Sequence, residues 1–135
     1  MSDKTSAEAA FRSRIVEDIR PWGKFRRFPH EGASSLKIIT VEPGERLSLQ
    51  YHNGRDEFWV ILDPGLEITA GERVWVTAPD EEIFIPRGTA HRARNVGDKP
   101  ARFMEIWIGD SAESDIVRLS DDYRREAKSS KRPTE

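Results

Sequence analysis

Two of the three histidines in this 135-residue chain stand beside turns, with oxygen donors at short spacings. His52 follows Gln50 by two residues and precedes Glu57 by five, and Asn53-Gly54 between them reads as a turn that carries the carboxylate back beside the imidazole. His91 ends the stretch Pro86-Arg87-Gly88-Thr89-Ala90, where a turn delivers it to the start of a strand with Asn95 on the same face. Strand alternation sends Leu47, Leu49 and Tyr51 one way and Ser48, Gln50 and His52 the other. Such a polar row on a barrel wall implies an interior that holds something polar. Two imidazoles, a carboxylate and an amide oxygen make a mixed nitrogen and oxygen site. It suits Zn, Mn, Fe, Co or Ni, with positions left open for water or substrate. His30, after Pro29 in an irregular stretch, reads as a loop residue near the mouth of the site.

The elements that must position these groups are short strands. Apolar or alternating runs cover Leu36–Val41, Leu47–His52, Phe58–Leu62, Leu66–Ala70, Arg73–Val76, Glu82–Ile85, Ala90–Asn95 and Arg102–Ile108, and Pro/Gly/Asn turn signals separate them. Eight short strands of this kind predict an all-β single domain, a barrel or jelly roll. Ahead of them, Ala10, Phe11, Ile15 and Ile19 make a partial helical stripe, so residues 1–19 are expected to form an N-terminal arm with a short helix. Arg20–Phe28 reads as an irregular basic and aromatic segment because of Pro21 and Gly23. Asp115–Arg125 reads as one more helical turn, and residues 126–135 as a disordered polar tail.

Composition excludes several functions. The 22 basic and 24 acidic residues balance to a net charge of -2, so the positive field of a nucleic-acid binder is missing. Hydrophobic residues, 36% of the chain with 4 Trp and 6 Phe, fill one core and offer no membrane span of about 20 apolar residues. With no cysteine, disulfides, thiolate zinc sites and cysteine nucleophiles are all excluded. No apolar stretch follows Met1–Ser6, so a cytoplasmic location is expected.

The site residues resemble those of the cupin superfamily. Gly44, then Gln50-Tyr51-His52, then Glu57 is similar to the first cupin motif, and Pro86, Gly88, His91 and Asn95 match the second. The resemblance implies a cupin-type β-barrel over residues 20–125 and one divalent metal ion held by Gln50, His52, Glu57 and His91. Gln50 stands where histidine is common. That departure resembles the phosphomannose isomerases, and in particular the cupin part of the type II bifunctional mannose-6-phosphate isomerase/mannose-1-phosphate guanylyltransferases. Arg20-Pro21-Trp22-Gly23, Leu47–Trp59, Ile85–Asn95, Glu105, Gly109, Asp115–Arg118, Asp121, Tyr123 and Arg125 are similar to that family. Arg124 departs from its usual glycine, and Asp63-Pro64 is an extra pair before Gly65. The glycine-rich phosphate loop of the nucleotide-handling half is not found in these residues, so guanylyltransferase activity is not implied.

What the resemblance implies is a metal-dependent isomerase interconverting mannose 6-phosphate and fructose 6-phosphate, with a phosphorylated sugar as partner. Lys37, Glu105 and Arg125 are the candidates for catalytic groups. Glu105 shares a strand face with Phe103 and Trp107: turned inward it is a buried base of raised pKa, turned outward an ordinary surface carboxylate. Arg20, Arg55, Arg118 and Arg125 are the candidates for gripping phosphate through guanidinium forks, while Arg12, Arg14, Arg26, Arg27 and Arg132 read as solvated surface. The alternatives are a metal cupin with other chemistry, dioxygenase-like, and a non-catalytic sugar-binding module. A homodimer paired through the N-terminal arm is the expected assembly.

Overall fold

The computed structural model describes residues 3–125. Helix α1 (Asp3–Ser13) leads into a hairpin of β1 (Val16–Arg20) and β2 (Gly23–Arg27). Two antiparallel sheets then face each other. The four-stranded sheet runs β3 (Ala33–Val41), β10 (Ala101–Ile108), β5 (Asp56–Ile61), β8 (Glu82–Ile85). The five-stranded sheet runs β11 (Val117–Ser120), β4 (Leu49–Tyr51), β9 (His91–Asn95), β6 (Leu66–Ala70), β7 (Arg73–Val76). All of the expected runs appear as strands, with ends shifted by up to three residues. The single β-rich domain is of the jelly-roll type.

Side-chain alternation divides the barrel interior into two kinds of surroundings. One part is an apolar core of Val41, Trp59, Ile61, Leu66, Ile68, Ile83, Ile85, Ala93, Ala101 and Phe103. The other is polar and equally buried: Ser48, Gln50, His52, Arg55, Glu57, His91, Glu105 and Arg118 all expose 5% or less. A second apolar cluster lies on the outer face of the four-stranded sheet, where Phe11 of α1 meets Phe58 at 4.6 Å between ring centroids and Phe28 meets it at 5.6 Å. Both faces of β5 are therefore covered, which is why its sequence is a continuous apolar run after Glu57 rather than an alternation.

Three local expectations are corrected. The helical stripe expected over residues 1–19 stops at Ser13: Ile15 lies beyond α1, and Ile19 is in β1 and exposed. Arg20–Phe28 is not irregular: Arg20 pairs with Gly23, and Pro21 and Trp22 form the tip of the β1–β2 hairpin. The turn formers that break a helix here close a hairpin instead, with proline supplying its fixed φ. Likewise Asp115–Arg125 contains strand β11, paired with β4, and not a helical turn. Its buried Arg118 lies between the more exposed Val117 and Leu119, the period of a strand and not of a helix. The polar tail at 126–135 lies outside the described residues.

Candidate metal and ligand site

The end of β4, the first half of β5 and the start of β9 meet at one point inside the barrel. Gln50 is opposite His91 in the β4–β9 register, and Glu57 is the second residue of β5. His52 and His91 expose 2% each and Glu57 exposes 1%. Their rings and carboxylate converge: His52 Nε2 lies 3.1 Å from Glu57 Oε2, His91 Nε2 lies 3.6 Å from Glu57 Oε1, and one ligand atom from each residue falls within 4.8 Å of the others.

Backbone carbonyls set the direction of both rings. His52 Nδ1 is 2.6 Å from the carbonyl oxygen of Asp115, and His91 Nδ1 is 2.8 Å from that of Thr89. A carbonyl accepts only, so each Nδ1 carries the proton and each Nε2 turns a lone pair inward. Among the described residues His91 Nε2 has no hydrogen-bond partner although it is fully buried. A buried orphan acceptor is costly unless something fills it. Burial lowers the His91 pKa, with Glu57 working the other way. For Glu57, burial raises the pKa, but His91, His52 and Arg55 outweigh it and hold the carboxyl well below its ordinary range. Two imidazoles turned inward through Nε2 and an ionised carboxylate fit a divalent ion held through nitrogen and oxygen.

The Gln50 amide is turned so that its oxygen accepts from Ser48 Oγ, while its nitrogen lies 3.4 Å from His52 Nε2. An end-for-end flip would offer the oxygen to the site, and the Ser48 hydroxyl, which donates or accepts, tolerates either orientation. Asn95 takes no part. Its amide donates to the carbonyls of Val41 and Lys99 at 2.8 and 2.7 Å and accepts from Gly97 N at 2.8 Å, so it pins the turn after β9.

Around this group lies a second layer of charges. The Arg55 guanidinium stacks on Trp107 with its carbon 3.4 Å from the ring centroid. It donates to Glu57 Oε2 at 2.8 Å, to His52 Nε2 at 3.1 Å, and to Ser111 Oγ and the Ala112 carbonyl, both at 3.2 Å. Glu105 faces inward and exposes 4%. Burial, then the charge of Glu57 and a hydrogen bond with it, raise the Glu105 pKa well above the ordinary range, so Glu105 holds the proton of the pair. Lys37, opposite Glu105 in the β3–β10 register, places Nζ 3.8 Å from Glu105 Oε1 and 3.3 Å from Glu113 Oε2. Arg118, paired in register with Gln50, is buried on the inner side of β11.

The remaining expected residues are elsewhere. Arg125 forms a fork on Asp121, at 2.8 and 3.1 Å. Arg20 is exposed on the hairpin, 3.0 Å from Asp18 Oδ2, and the structure does not bring it to the cluster. His30 is exposed too, and it is not part of the His52, Glu57 and His91 group. Sequence reasoning gave the two tryptophans no part in the site. Trp59 Nε1 donates to Glu57 Oε1 at 2.9 Å and Trp107 Nε1 to Glu105 Oε1 at 2.8 Å. The signal was present as Glu-x-Trp in two strands, since residues two apart share a face. Asp115, whose carbonyl holds the His52 ring, was likewise given no site role.

The double sheet with an inward His/Glu/His group defines a cupin. Among solved structures the chain resembles an oxalate decarboxylase, with a TM-score of 0.55 and 25% identity over 62% of this chain and 23% of that one. It also resembles the cupin domain of Schizosaccharomyces pombe Cnp3, with a TM-score of 0.55 and 15% identity over 71% and 86%. The chain belongs to the family described as mannose-6-phosphate isomerase C-terminal, whose model matches residues 8–121. Xanthan biosynthesis protein XanB of Xanthomonas campestris pv. campestris is 38% identical over 120 residues, which are 88% of this chain and 25% of that protein. Mannose-1-phosphate guanylyltransferase 2 of Escherichia coli O157:H7 is 37% identical over 111 residues, 82% of this chain and 23% of that protein. The chain thus spans about a quarter of the length of the curated relatives it matches.

These relatives correct the expected activity. Although the family description carries the isomerase name, the relatives named for a reaction are mannose-1-phosphate guanylyltransferases, which overturns the reading of the chain as a mannose 6-phosphate to fructose 6-phosphate isomerase. The relatives are carbohydrate biosynthetic proteins, and enzymes among them carry this domain. Among the described residues, no helix is long and apolar enough to cross a membrane.

Proposed function

We propose that the chain is a divalent-metal cupin that binds a phosphorylated sugar, serving the class of sugar-phosphate metabolism that its relatives' names describe. The observation that carries this reading is the buried, unpartnered Nε2 of His91, which converges with His52 Nε2 and the ionised Glu57 beside the guanidinium of Arg55. Bound there, an ion such as Mn, Zn, Co, Ni or Fe would supply a Lewis acid for a sugar oxygen. His52, Glu57 and His91 would hold it, with Gln50 as a further ligand after its flip. Lys37, partly exposed, and the buried Arg55 and Arg118 give the site its affinity for an anion. Glu105 keeps a proton within reach of the same space, and the Trp107 ring, already stacked with Arg55, walls it. In this reading the homodimer forms through apolar groups that the fold leaves outside, Ile19 and Trp22 on the hairpin and Leu36 and Ile38 on the edge strand β3.

Isothermal titration of the purified chain tests the proposal, first with Mn, Zn and Co, then with mannose 1-phosphate against mannose on the metal-loaded protein. The expected result is one ion per chain and binding of the phosphorylated sugar only. If no ion binds, the metal reading fails. Equal binding of mannose and its phosphate removes the anion-binding part.

A further inference from the structure

The loop between β10 and β11 crosses the polar end of the barrel, and one residue in it ties down the turn that carries His52. We propose that Asp115 is the positioning residue that aims His52 Nε2 and thereby sets the affinity of the site for a divalent ion. The proposal rests on the metal-binding reading above.

Both ends of Asp115 act on the same turn. Its main-chain oxygen accepts from His52 Nδ1 at 2.6 Å, which fixes the tautomer and the rotation of the ring about its own bond. Its carboxylate accepts from Asn53 N at 3.0 Å, from Gly54 N at 2.8 Å and from Ser111 Oγ at 2.7 Å. The two residues after His52 are thereby clamped by the residue whose carbonyl holds the ring. An error in the position of Asp115 moves both supports of the imidazole together.

The closeness of the clamp explains two glycines. A Cβ at Gly54 would stand 2.9 Å from Asp115 Oδ2, so the carboxylate would have to shift. A Cβ at Gly109 would stand 2.9 Å from the Gly54 carbonyl oxygen, and φ there is +122°, so the loop departs from β10 through a conformation that favours glycine. Turn and loop therefore touch backbone to backbone. Gly109 N also donates to the Gly32 carbonyl at 2.8 Å, which anchors the base of the loop to the start of β3.

The test is metal affinity by competition with a chromophoric chelator, together with the visible spectrum of the Co(II) form and NMR of the His52 ring nitrogens. Asp115→Ala is expected to weaken Co(II) and Zn(II) binding about 10- to 100-fold, the usual cost of removing an outer support of a ligand. It should also mix the His52 tautomers and shift the Co(II) bands. Asp115→Asn, which retains one acceptor oxygen, should recover part of the affinity. Gly54→Ala keeps every charge but pushes the carboxylate away, and should weaken binding as Asp115→Ala does. If Asp115→Ala does not fold, the Asn and Gly54→Ala variants carry the decision. Wild-type affinity and an unmixed His52 tautomer in both of them overturn the proposal. His52→Ala and His91→Ala separate the two readings. When these abolish binding and the Asp115 and Gly54 variants bind like wild type, positioning by Asp115 is refuted and the metal site stands. A wild-type chain that binds no ion refutes both.

Discussion

Arg55→Met removes a cation from a deeply buried charge cluster, and its effect on stability can be worked from the contacts. The Arg55 side chain exposes 2% and Glu57 beside it 1%, with Nε donating to the carboxylate at 2.8 Å. Methionine keeps much of the apolar stem against Trp107 and loses the hydrogen bonds to Glu57, His52, Ser111 and Ala112. Breaking a buried ion pair from one side costs about 3–5 kcal/mol, because the remaining charge stays in the interior without its partner. For a chain of this size each kcal/mol moves Tm by roughly 3–4 °C, so with a chelator present Tm should fall by about 10 °C or more. A divalent ion offers Glu57 a replacement counter-charge, and Arg55 donates to the same His52 nitrogen and Glu57 oxygen that an ion would use. The variant should therefore regain more from added metal than the wild type does, where saturation a hundredfold above Kd contributes about 2.7 kcal/mol. Differential scanning calorimetry with EDTA and with excess Zn or Mn measures both parts. Equal melting of variant and wild type in EDTA would show that Arg55 does not neutralise Glu57. An equal metal-induced rise in the two proteins would show that guanidinium and ion do not share ligand atoms.

Acid should destabilise the metal-free chain in two stages. His91 is held neutral in the fold by burial, so below its ordinary value of 6.5 the unfolded chain takes up a proton that the folded one refuses, and stability declines first there. Asp115 and Asp121 are lowered in the fold, by hydrogen bonds that outweigh burial, so their stabilisation is complete above the ordinary value of 3.8 and is lost as pH falls through their folded values. In urea melts at stepped pH, His91→Gln should erase only the first stage. Arg124 has φ of +60°, the conformation for which glycine is suited, so Arg124→Gly should raise stability by roughly 0.5–1 kcal/mol in a urea titration while Arg124→Ala should not. The proposed homodimer predicts twice the chain mass by light scattering, and Trp22→Ala with Leu36→Glu should reduce it to a monomer without changing metal content. A wild-type monomer at high micromolar concentration refutes the pairing.

The barrel and the heart of the site were legible because both follow from strand periodicity. Gln50 and His52 share a face by alternation, the Asn53-Gly54 turn returns Glu57 to them, and the turn at Pro86–Gly88 delivers His91; none of this needs tertiary detail. The hairpin at β1–β2 was not legible in the same way. Pro21 and Gly23 rule out a helix equally for a loop and for a hairpin tip, and Val16–Arg20 and Gly23–Arg27 show no alternation because the hairpin stands outside the barrel with both faces largely wet. Glu105 could be inward or outward from sequence alone, and the structure resolves it: with β10 paired to β3 on one side and β5 on the other, the face that Glu105 shares with Phe103 and Trp107 is the buried one.

What sequence could not supply was the bookkeeping of buried polar groups. An interior holding Arg55, Glu57, Glu105 and Arg118 is stable only if nearly every donor meets an acceptor, and the partners come from all along the chain: Trp59 and Trp107 from strand neighbours, Ser111, Ala112 and Asp115 from a loop more than fifty residues away. Spacing rules reach the first kind, because an indole two residues past a carboxylate lies on its face. They do not reach the second, because nothing local to His52 names the carbonyl that orients it. The same asymmetry explains why Arg125 and Arg20 were indistinguishable from Arg55 as basic residues in a matching motif. Only the fold shows that Asp121 takes up the first, that Asp18 sits beside the second on an exposed hairpin, and that the third is enclosed with Glu57 and Trp107. Charge type was visible in the sequence, whereas charge compensation, which decides whether a buried cation can serve a ligand or is already committed, is a property of contacts between distant segments.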